Sequence, residues 1–276
     1  MTSPILSSRK YPVGIKVIDH IKDCSVFRST LLVITGMAVT AFMSGCCVVF
    51  AYMTREENSI HRVARIWAKI LLKLTNTRIE IVGTENILMG KPQIFMANHQ
   101  SDFDILIVLG HLPGQFRWIV KKELFYIPLF GKAMRNAGYI EIDRQHHEKA
   151  MLSLDIAARK IREGKCVMSF PEGTRSKDGK INPFKQGMFY LAIKSGVPIV
   201  PISIIGAREI MPRRSLQINP GKIVMVIDRP IDVNDYSIEN RQELIDRVRN
   251  VIIDNCEKYK IAHMKNCLNE TCILQQ

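Results

Sequence analysis

The feature that most constrains this 276-residue chain is a segment from Ser29 to Thr54 that contains no charged side chain. The hydrocarbon core of a bilayer is roughly 30 Å thick, and about 20 helical residues cross it. The segment is long enough to do so. It begins late for a signal peptide, and no convincing small-residue cleavage site follows it. We therefore predict an N-terminal membrane-anchoring helix, with a buried helix of a soluble protein as the alternative.

The orientation of this segment stays open because basic residues flank it on both sides. Arg28 precedes it, and several arginines and lysines lie in residues 55–75. An excess of Lys and Arg on one side marks the cytoplasmic end of a membrane helix, and this segment has no such one-sided excess. A helix that crosses the bilayer and a re-entrant hairpin are both compatible. Residues 55–75 themselves are amphipathic at helical spacing, which suits either the membrane interface or an ordinary core-facing helix.

From residue 78 onward, short apolar runs alternate with amphipathic helical patterns. This alternation predicts one α/β domain with a mixed, largely parallel sheet covered by helices. We place the membrane-anchoring helices in residues 1–75 and this domain in residues 76–276. Strands are predicted at 78–83, 93–97, 116–120, 138–142, 166–170, 199–205 and 222–227, and helices at 101–112, 128–136, 146–163, 185–195 and 237–261. The residues from His263 onward look weakly ordered.

The formal net charge of +13 predicts anionic partners, such as nucleic acid, acidic lipid head groups or phosphorylated substrates. A basic arm, a recognition helix with interleaved aromatic residues and a zinc motif are all missing from the sequence, so we expect no nucleic-acid partner. The seven cysteines are scattered and form no Cys-x-x-Cys pair. They favour a reducing compartment over a disulfide framework, and we expect no metal site.

The first candidate site lies between the predicted strand 93–97 and the helix that follows it. Ser101 suits the N-cap of that helix, and Asp104 stands three residues later, where a capping box has its acidic member. The turn can bring the His99 imidazole onto the Asp104 carboxylate. A carboxylate on one ring nitrogen fixes the tautomer and leaves the other nitrogen free to accept a proton from a hydroxyl. An ordinary turn before a capped helix is the alternative.

Three further segments carry candidate residues at strand ends. Arg144 follows the strand 138–142, and its planar guanidinium matches phosphate oxygens. Residues 170–176 contain a Pro-Gly turn whose backbone N–H groups, with the hydroxyls of Thr174 and Ser176, can face an anion. Residues 197–201 contain two prolines, which suggest an edge strand or a bend. A solvated charge, a plain turn and a kinked buried strand are the alternatives.

Taken together and in this order, the four segments resemble the four sequence blocks of the glycerolipid acyltransferases, over roughly residues 78–205. The chain resembles in particular the bacterial 1-acyl-sn-glycerol-3-phosphate acyltransferases. The resemblance implies transfer of a fatty acyl group from a thioester to a lysophospholipid hydroxyl, with His99 as general base and Asp104 as its orienting partner. It also implies an acceptor site made by Arg144, Glu172, Gly173, Thr174, Arg175 and Ser176, and a part for Pro201 in donor binding or site shape.

The same resemblance implies partners and a location. The acceptor would be lysophosphatidic acid, the product phosphatidic acid for phospholipid synthesis, and the co-substrate an acyl-CoA or acyl carrier protein thioester, with no further cofactor and no metal. The enzyme would sit in the bacterial inner membrane with its site facing the cytoplasm. Two alternatives stay open: another acceptor, either glycerol 3-phosphate or a different lysophospholipid, and a non-catalytic membrane-bound lipid-binding protein.

Overall fold

A seven-stranded sheet forms the centre of the protein in the computed structural model, which describes residues 13–143 and 146–273. Its strands are β1 (Thr77–Val82), β2 (Ile94–Ala97), β3 (Phe116–Lys121), β4 (Ile140–Ile142), β5 (Cys166–Ser169), β6 (Ile199–Ile205) and β7 (Gly221–Ile227). The spatial order is β1-β7-β6-β2-β5-β3-β4. Every neighbouring pair is parallel except β6 and β7. The predicted mixed, largely parallel sheet is therefore confirmed.

Helices cover both faces of the sheet. They are α1 (Val13–Thr54), α2 (Glu57–Leu74), α3 (Phe103–His111), α4 (Phe130–Asn136), α5 (His147–Arg162), α6 (Gly187–Ser195), α7 (Ala207–Ile210) and α8 (Arg241–Ile273). One hydrophobic core forms between the sheet and α5, α6 and α8, and a second forms on the side of α2 and α3. Because both faces are covered, all side chains of β2 and β6 are buried, as expected for largely parallel sheets.

Two elements differ from what we expected. The strand with two prolines is not at an edge, since β6 lies between β7 and β2, and the alternative of a buried strand is the one observed. Pro201 is tolerated there because the pairing of β6 with β7 begins only at Ile202 and Ile227. The backbone N–H that Pro201 lacks would therefore point past the end of β7. Its carbonyl still accepts a hydrogen bond from the backbone N–H of Asp228 at 2.9 Å. The C-terminal segment is also helical further than expected, since α8 continues to Ile273.

The uncharged N-terminal segment lies within α1, and α1 packs lengthwise on the rest of the molecule. The Ser29 hydroxyl accepts a hydrogen bond from the backbone N–H of Ile218 at 3.1 Å, and Thr40 accepts one from the Trp67 indole at 3.0 Å. Farther along, Cys47 packs against α2. Residues Ser25–Thr54 are long and apolar enough to cross a membrane, as judged by length and composition. The α2 helix buries one face, including Ala68 and Leu72, so it is core-facing on that side.

Candidate active site

The two residues predicted to form a base and its partner are in direct contact. His99 lies in the loop after β2, and its Nδ1 is 2.9 Å from Oδ2 of Asp104 in the first turn of α3. The same oxygen accepts hydrogen bonds from the backbone N–H groups of Gln100, at 2.6 Å, and Ser101, at 2.8 Å. The Asp104 side chain is 0% exposed. Three donors thus hold this buried carboxylate in one position.

The loop that carries His99 is held by the polar residues around it. α3 begins at Phe103, later than the predicted residue 101, yet the contact between Asp104 and the N–H of Ser101 is the reciprocal bond of a capping box. Ser101 Oγ accepts from the N–H of Phe103 at 3.2 Å. The buried Asn98 amide pairs with both backbone groups of Ile204, at 2.9 and 2.7 Å. The start of the loop is therefore fixed to β6.

The imidazole of His99 stacks on the ring of Phe170, with ring centroids 4.0 Å apart and planes 8° from parallel. Phe170 in turn contacts Trp118 at a centroid distance of 5.3 Å. The His99 side chain remains 13% exposed. When Asp104 accepts from a protonated Nδ1, the neutral ring carries its lone pair on Nε2. This arrangement fixes the ring plane and leaves Nε2 as the proton acceptor.

Residues 170–176, which follow β5, provide the second part of the site. The buried Glu172 accepts a hydrogen bond from the backbone N–H of His99 at 2.7 Å on one oxygen. Its other oxygen accepts from the backbone N–H and side-chain amide of Asn182, at 2.9 and 2.8 Å. Burial raises the pKa of Glu172, although these hydrogen bonds oppose the shift. The backbone N–H of Ser176 donates to the carbonyl of His99 at 2.9 Å. The loop that carries His99 and the loop of residues 170–176 thus hold each other in place by hydrogen bonds.

The side chains of the predicted acceptor site differ in what they contact. Both carboxylate oxygens of Glu172 are occupied within the protein, and the buried Ser176 hydroxyl accepts from the N–H of Gly179 at 2.9 Å. These two side chains therefore hold the loops, and their predicted contact with an acceptor stays a prediction. Arg144 lies outside the described residues. Pro201 is buried within β6 and does not line the cavity described next.

A cavity of about 470 Å³ opens beside His99. Gly173, Thr174 and Arg175 line it, and the Arg175 guanidinium pairs with the carboxylate of Asp102. Gly173 has a φ of 72°, a backbone conformation that residues other than glycine rarely adopt, so the position favours glycine. The polar end of the cavity thus combines a histidine with guanidinium and backbone groups.

The remaining walls of this cavity, which we call the main cavity, are mostly apolar. They come from α1, α2, α3 and α4 and include Met43, Cys47, Ile60, Ala64, Trp67, Leu109, Phe130, Ala133 and Met134. Tyr139 also lines the cavity, and its hydroxyl is 3.0 Å from Nδ1 of His61. Since Tyr139 precedes β4, it lies at the end of the parallel strands opposite His99. The cavity therefore leads from the histidine to an apolar interior under α1.

Two cationic residues of the main cavity were missed by the sequence reasoning. Lys121 ends β3, and Arg213 lies in the loop before β7. A signal existed for the first, since Lys121 and Lys122 form a basic pair directly after a predicted strand. Arg213 and Arg214 also form a pair, but in a stretch with no predicted element on which to place them.

Comparison with known proteins gives consistent matches. Residues 78–205 match the Acyltransferase family. A 1-acyl-sn-glycerol-3-phosphate acyltransferase of Chlamydomonas reinhardtii is 31% identical over 251 residues, which cover 90% of this chain and 74% of that protein. The alpha form from Homo sapiens is 30% identical, with 70% and 68% covered. A chloroplastic relative from Brassica napus is 36% identical over 71% of this chain, but this chain spans only 55% of its length.

The chain also spans about half the length, 48%, of the chloroplastic relative from Arabidopsis thaliana, to which it is 38% identical. Among solved structures, it is similar to the crystal structure of the 1-acyl-sn-glycerophosphate acyltransferase from Thermotoga maritima. The TM-score is 0.75, the identity 27%, and the match covers 87% of this chain and 97% of that one. Fold and sequence thus agree on one group of proteins.

Proposed function

Since this chain belongs to the acyltransferase family, we propose that it transfers a fatty acyl group from a thioester to the free hydroxyl of 1-acyl-sn-glycerol 3-phosphate. The product of that transfer is phosphatidic acid. The observation that carries the proposal is the contact between His99 and the buried Asp104 at the polar end of a largely apolar cavity. A protein that only binds lipid has no need of an oriented base.

The geometry supports direct transfer. Nε2 of His99 accepts the proton of the acceptor hydroxyl as that oxygen attacks the thioester carbonyl carbon. The new C–O ester bond forms, the C–S bond breaks, and the imidazolium returns the proton to the leaving thiolate. Asp104 stabilises the imidazolium while it exists, through its contact with Nδ1. A positioned general base of this kind contributes about 10²–10⁴ in rate.

The acceptor's phosphate is the natural ligand of the guanidinium at this end of the main cavity. Arg175 lines the cavity close to His99, and Arg144 is proposed as a second phosphate ligand from the sequence alone. Gly173 and Thr174 complete the lining. We assign Glu172 and Ser176 to loop positioning and Pro201 to the shape of the sheet.

The apolar part of the main cavity suits an acyl chain. An acyl-CoA and an acyl carrier protein thioester present the same chain and the same carbonyl, so both are proposed co-substrates, with no further cofactor. Apolar walls stabilise each buried methylene by about 0.8 kcal/mol. A chain seated there would have its carbonyl at the His99 end.

Because the proposed acceptor is a lipid, we propose that the enzyme works at a membrane and contacts it through α1. Its outer side carries an exposed apolar stripe that includes Phe27, Leu31, Ile34, Met37, Phe42 and Val49. Because the opposite side of α1 packs along the protein from Ser29 to Cys47, we propose that the helix lies along the membrane surface. A site on the cytoplasmic side of a bacterial inner membrane stays a prediction.

The proposal is tested with the purified full chain on phospholipid vesicles. Thiol release is measured from acyl-CoA and from acyl carrier protein thioester, with lysophosphatidic acid, glycerol 3-phosphate or lysophosphatidylcholine as acceptor. We expect lysophosphatidic acid to be preferred. His99→Ala should lose about 10²–10⁴ in turnover while still binding vesicles, and His111→Ala should stay active. Equal rates with glycerol 3-phosphate would overturn the acceptor, and no release with any pair would favour a lipid-binding protein.

A further inference from the structure

On the basis of the proposed function, we infer that Arg213 binds the phosphate group of the acceptor together with Arg175. Arg213 lies in the 211–220 loop, which connects α7 to β7. Its Nη1 donates a hydrogen bond to the backbone carbonyl of Arg175 at 2.9 Å. Both arginines line the main cavity beside His99 and Asp102. Two arginines from different parts of the chain therefore line the end of the cavity at which we place the acceptor's head group.

At the polar end of the main cavity, the charge of Arg175 alone does not balance the charge of the acceptor's phosphate. A phosphate monoester carries about −1.5 to −2 charge near pH 7. Arg175 shares its charge with Asp102, with which it forms an ion pair. Arg213 forms no ion pair with a carboxylate of the described residues, although it is partly buried. A planar guanidinium with remaining donors matches phosphate oxygens well.

The 211–220 loop is fixed at both of its ends. The carbonyl of Met211 accepts a hydrogen bond from the Ser101 hydroxyl at 2.8 Å. At the other end, the carbonyl of Ile218 accepts from the Arg28 guanidinium at 2.8 Å, and its N–H donates to Ser29. The loop therefore links the residues around His99 to α1, the helix that we propose to contact lipid. Arg213 is held between the two, and a phosphate ligand held in this way needs little reorganisation.

The chain offers a matched control at the next position. Arg214 has the same side chain and charge, but it is exposed and does not line the main cavity. Its φ of 63° lies in the left-handed region, so its side chain leaves the backbone in a different direction. A general loss of positive charge in the loop would affect both variants equally, whereas a phosphate contact would affect only Arg213.

The test is steady-state kinetics of the full chain on vesicles, with Arg213→Ala, Arg213→Lys and Arg214→Ala. A hydrogen bond to a charged group is worth about 1.5–3 kcal/mol, so Arg213→Ala should raise KM for lysophosphatidic acid about 10- to 100-fold. KM for the thioester and kcat at saturating acceptor should stay near the wild-type values. Arg213→Lys should have an intermediate KM, and Arg214→Ala should match the wild type. Inhibition by inorganic phosphate should weaken in Arg213→Ala alone.

Other results would overturn the inference. An unchanged KM for lysophosphatidic acid in a folded Arg213→Ala protein would exclude the contact. A fall in kcat with unchanged KM values would mean that Arg213 only supports the backbone of Arg175. If the alanine variant does not fold, Arg213→Lys decides, since an unchanged KM there would contradict recognition by the guanidinium fork. A wild-type enzyme that ignores lysophosphatidic acid would instead refute the proposed function.

Discussion

At the scale of single residues, the site depends on one buried carboxylate. Asp104 is ionised in the proposed mechanism, and a charge without exposure to water must be compensated by nearby donors. Two backbone N–H groups and the imidazole of His99 supply them, all on Oδ2. The first turn of α3 adds the positive end of a helix dipole. The other carboxylate oxygen of Asp104, Oδ1, has no hydrogen-bond partner among the described residues.

Asp104→Asn tests this arrangement, because an amide can replace Oδ2 but carries no charge. We expect kcat to fall about 10²–10⁴, since the neutral amide no longer stabilises the imidazolium. The free energy of unfolding should also fall by about 1–3 kcal/mol, because the amide nitrogen would occupy the position of Oδ1, where it has no hydrogen-bond partner. Thiol-release kinetics and denaturant unfolding check the two effects. A variant with wild-type kcat would contradict the proposed part of Asp104.

Residue-level contacts were predictable where they are local. The pairing of His99 with Asp104 follows from a capping pattern within six residues of chain, so the sequence sufficed. The inward orientation of Glu172 did not follow from its motif, because its partners are His99 and Asn182, one of them in a different loop. Arg213 contacts a carbonyl 38 residues away in sequence. No periodic pattern encodes a contact of that kind.

At the scale of elements, α4 contributes to the cavity proposed to hold the acyl chain. Ala133 of α4 lines it and is only partly buried. We expect Ala133→Phe to shift the preference toward shorter acyl donors, because the ring takes space from the end of the chain. Each methylene displaced loses about 0.8 kcal/mol, or roughly fourfold in kcat/KM. Competition between acyl-CoA species of different length in one reaction measures the shift. An unchanged product distribution would place the acyl chain elsewhere.

The α2 helix carries a second testable group, the buried His61. Burial, with a smaller contribution from Arg117, lowers the pKa of His61 to about 3. The unfolded chain keeps a histidine pKa of about 6.5. Above that value neither state binds the proton. Below it the unfolded state does and the folded state does not, so stability is lost as the pH falls from about 6.5 toward 3.

We expect this group to cost about 2 kcal/mol of folding stability between pH 7 and pH 5. His61→Gln removes the titration and keeps a group able to hydrogen-bond Tyr139, whose hydroxyl contacts His61. Urea unfolding in detergent at pH 7, 6 and 5 compares the two proteins. The variant should lose less stability than the wild type over this range. Parallel loss in both would show that His61 binds its proton in the folded state.

Element positions came from the sequence more readily than their arrangement. The period of apolar residues placed β6 at 199–205, as observed, and most other elements within a few residues. The central place of β6 was missed because strand order depends on pairings between distant segments, such as Pro201 beside Met96. The two prolines argued locally for an edge. Only the end of β7, contributed by another part of the chain, makes Pro201 acceptable in the centre.

At the scale of the whole molecule, charge and exposed apolar surface point to the same ligand. The net charge of +13 favours an anionic membrane, and the exposed apolar stripe of α1 is the surface that we propose to insert. The loop 211–220 contacts α1 near Ser29, and α4 packs against later turns of α1. If α1 lies on a membrane, both the polar end and the apolar part of the main cavity lie close to lipid.

This placement predicts different effects for two isoleucines with the same exposure. Ile34 lies in the apolar stripe of α1 with 55% of its surface exposed, and Ile261 lies on α8 with 56% exposed. If only the stripe enters the bilayer, Ile34→Asp removes roughly 1.5–3 kcal/mol of apolar burial and adds a charge that must stay hydrated. Its vesicle affinity should fall at least tenfold, whereas Ile261→Asp should bind like the wild type. Flotation with anionic vesicles measures both. Wild-type affinity in both variants would mean that α1 does not face lipid, and a loss in both would mean that the membrane contact extends to α8.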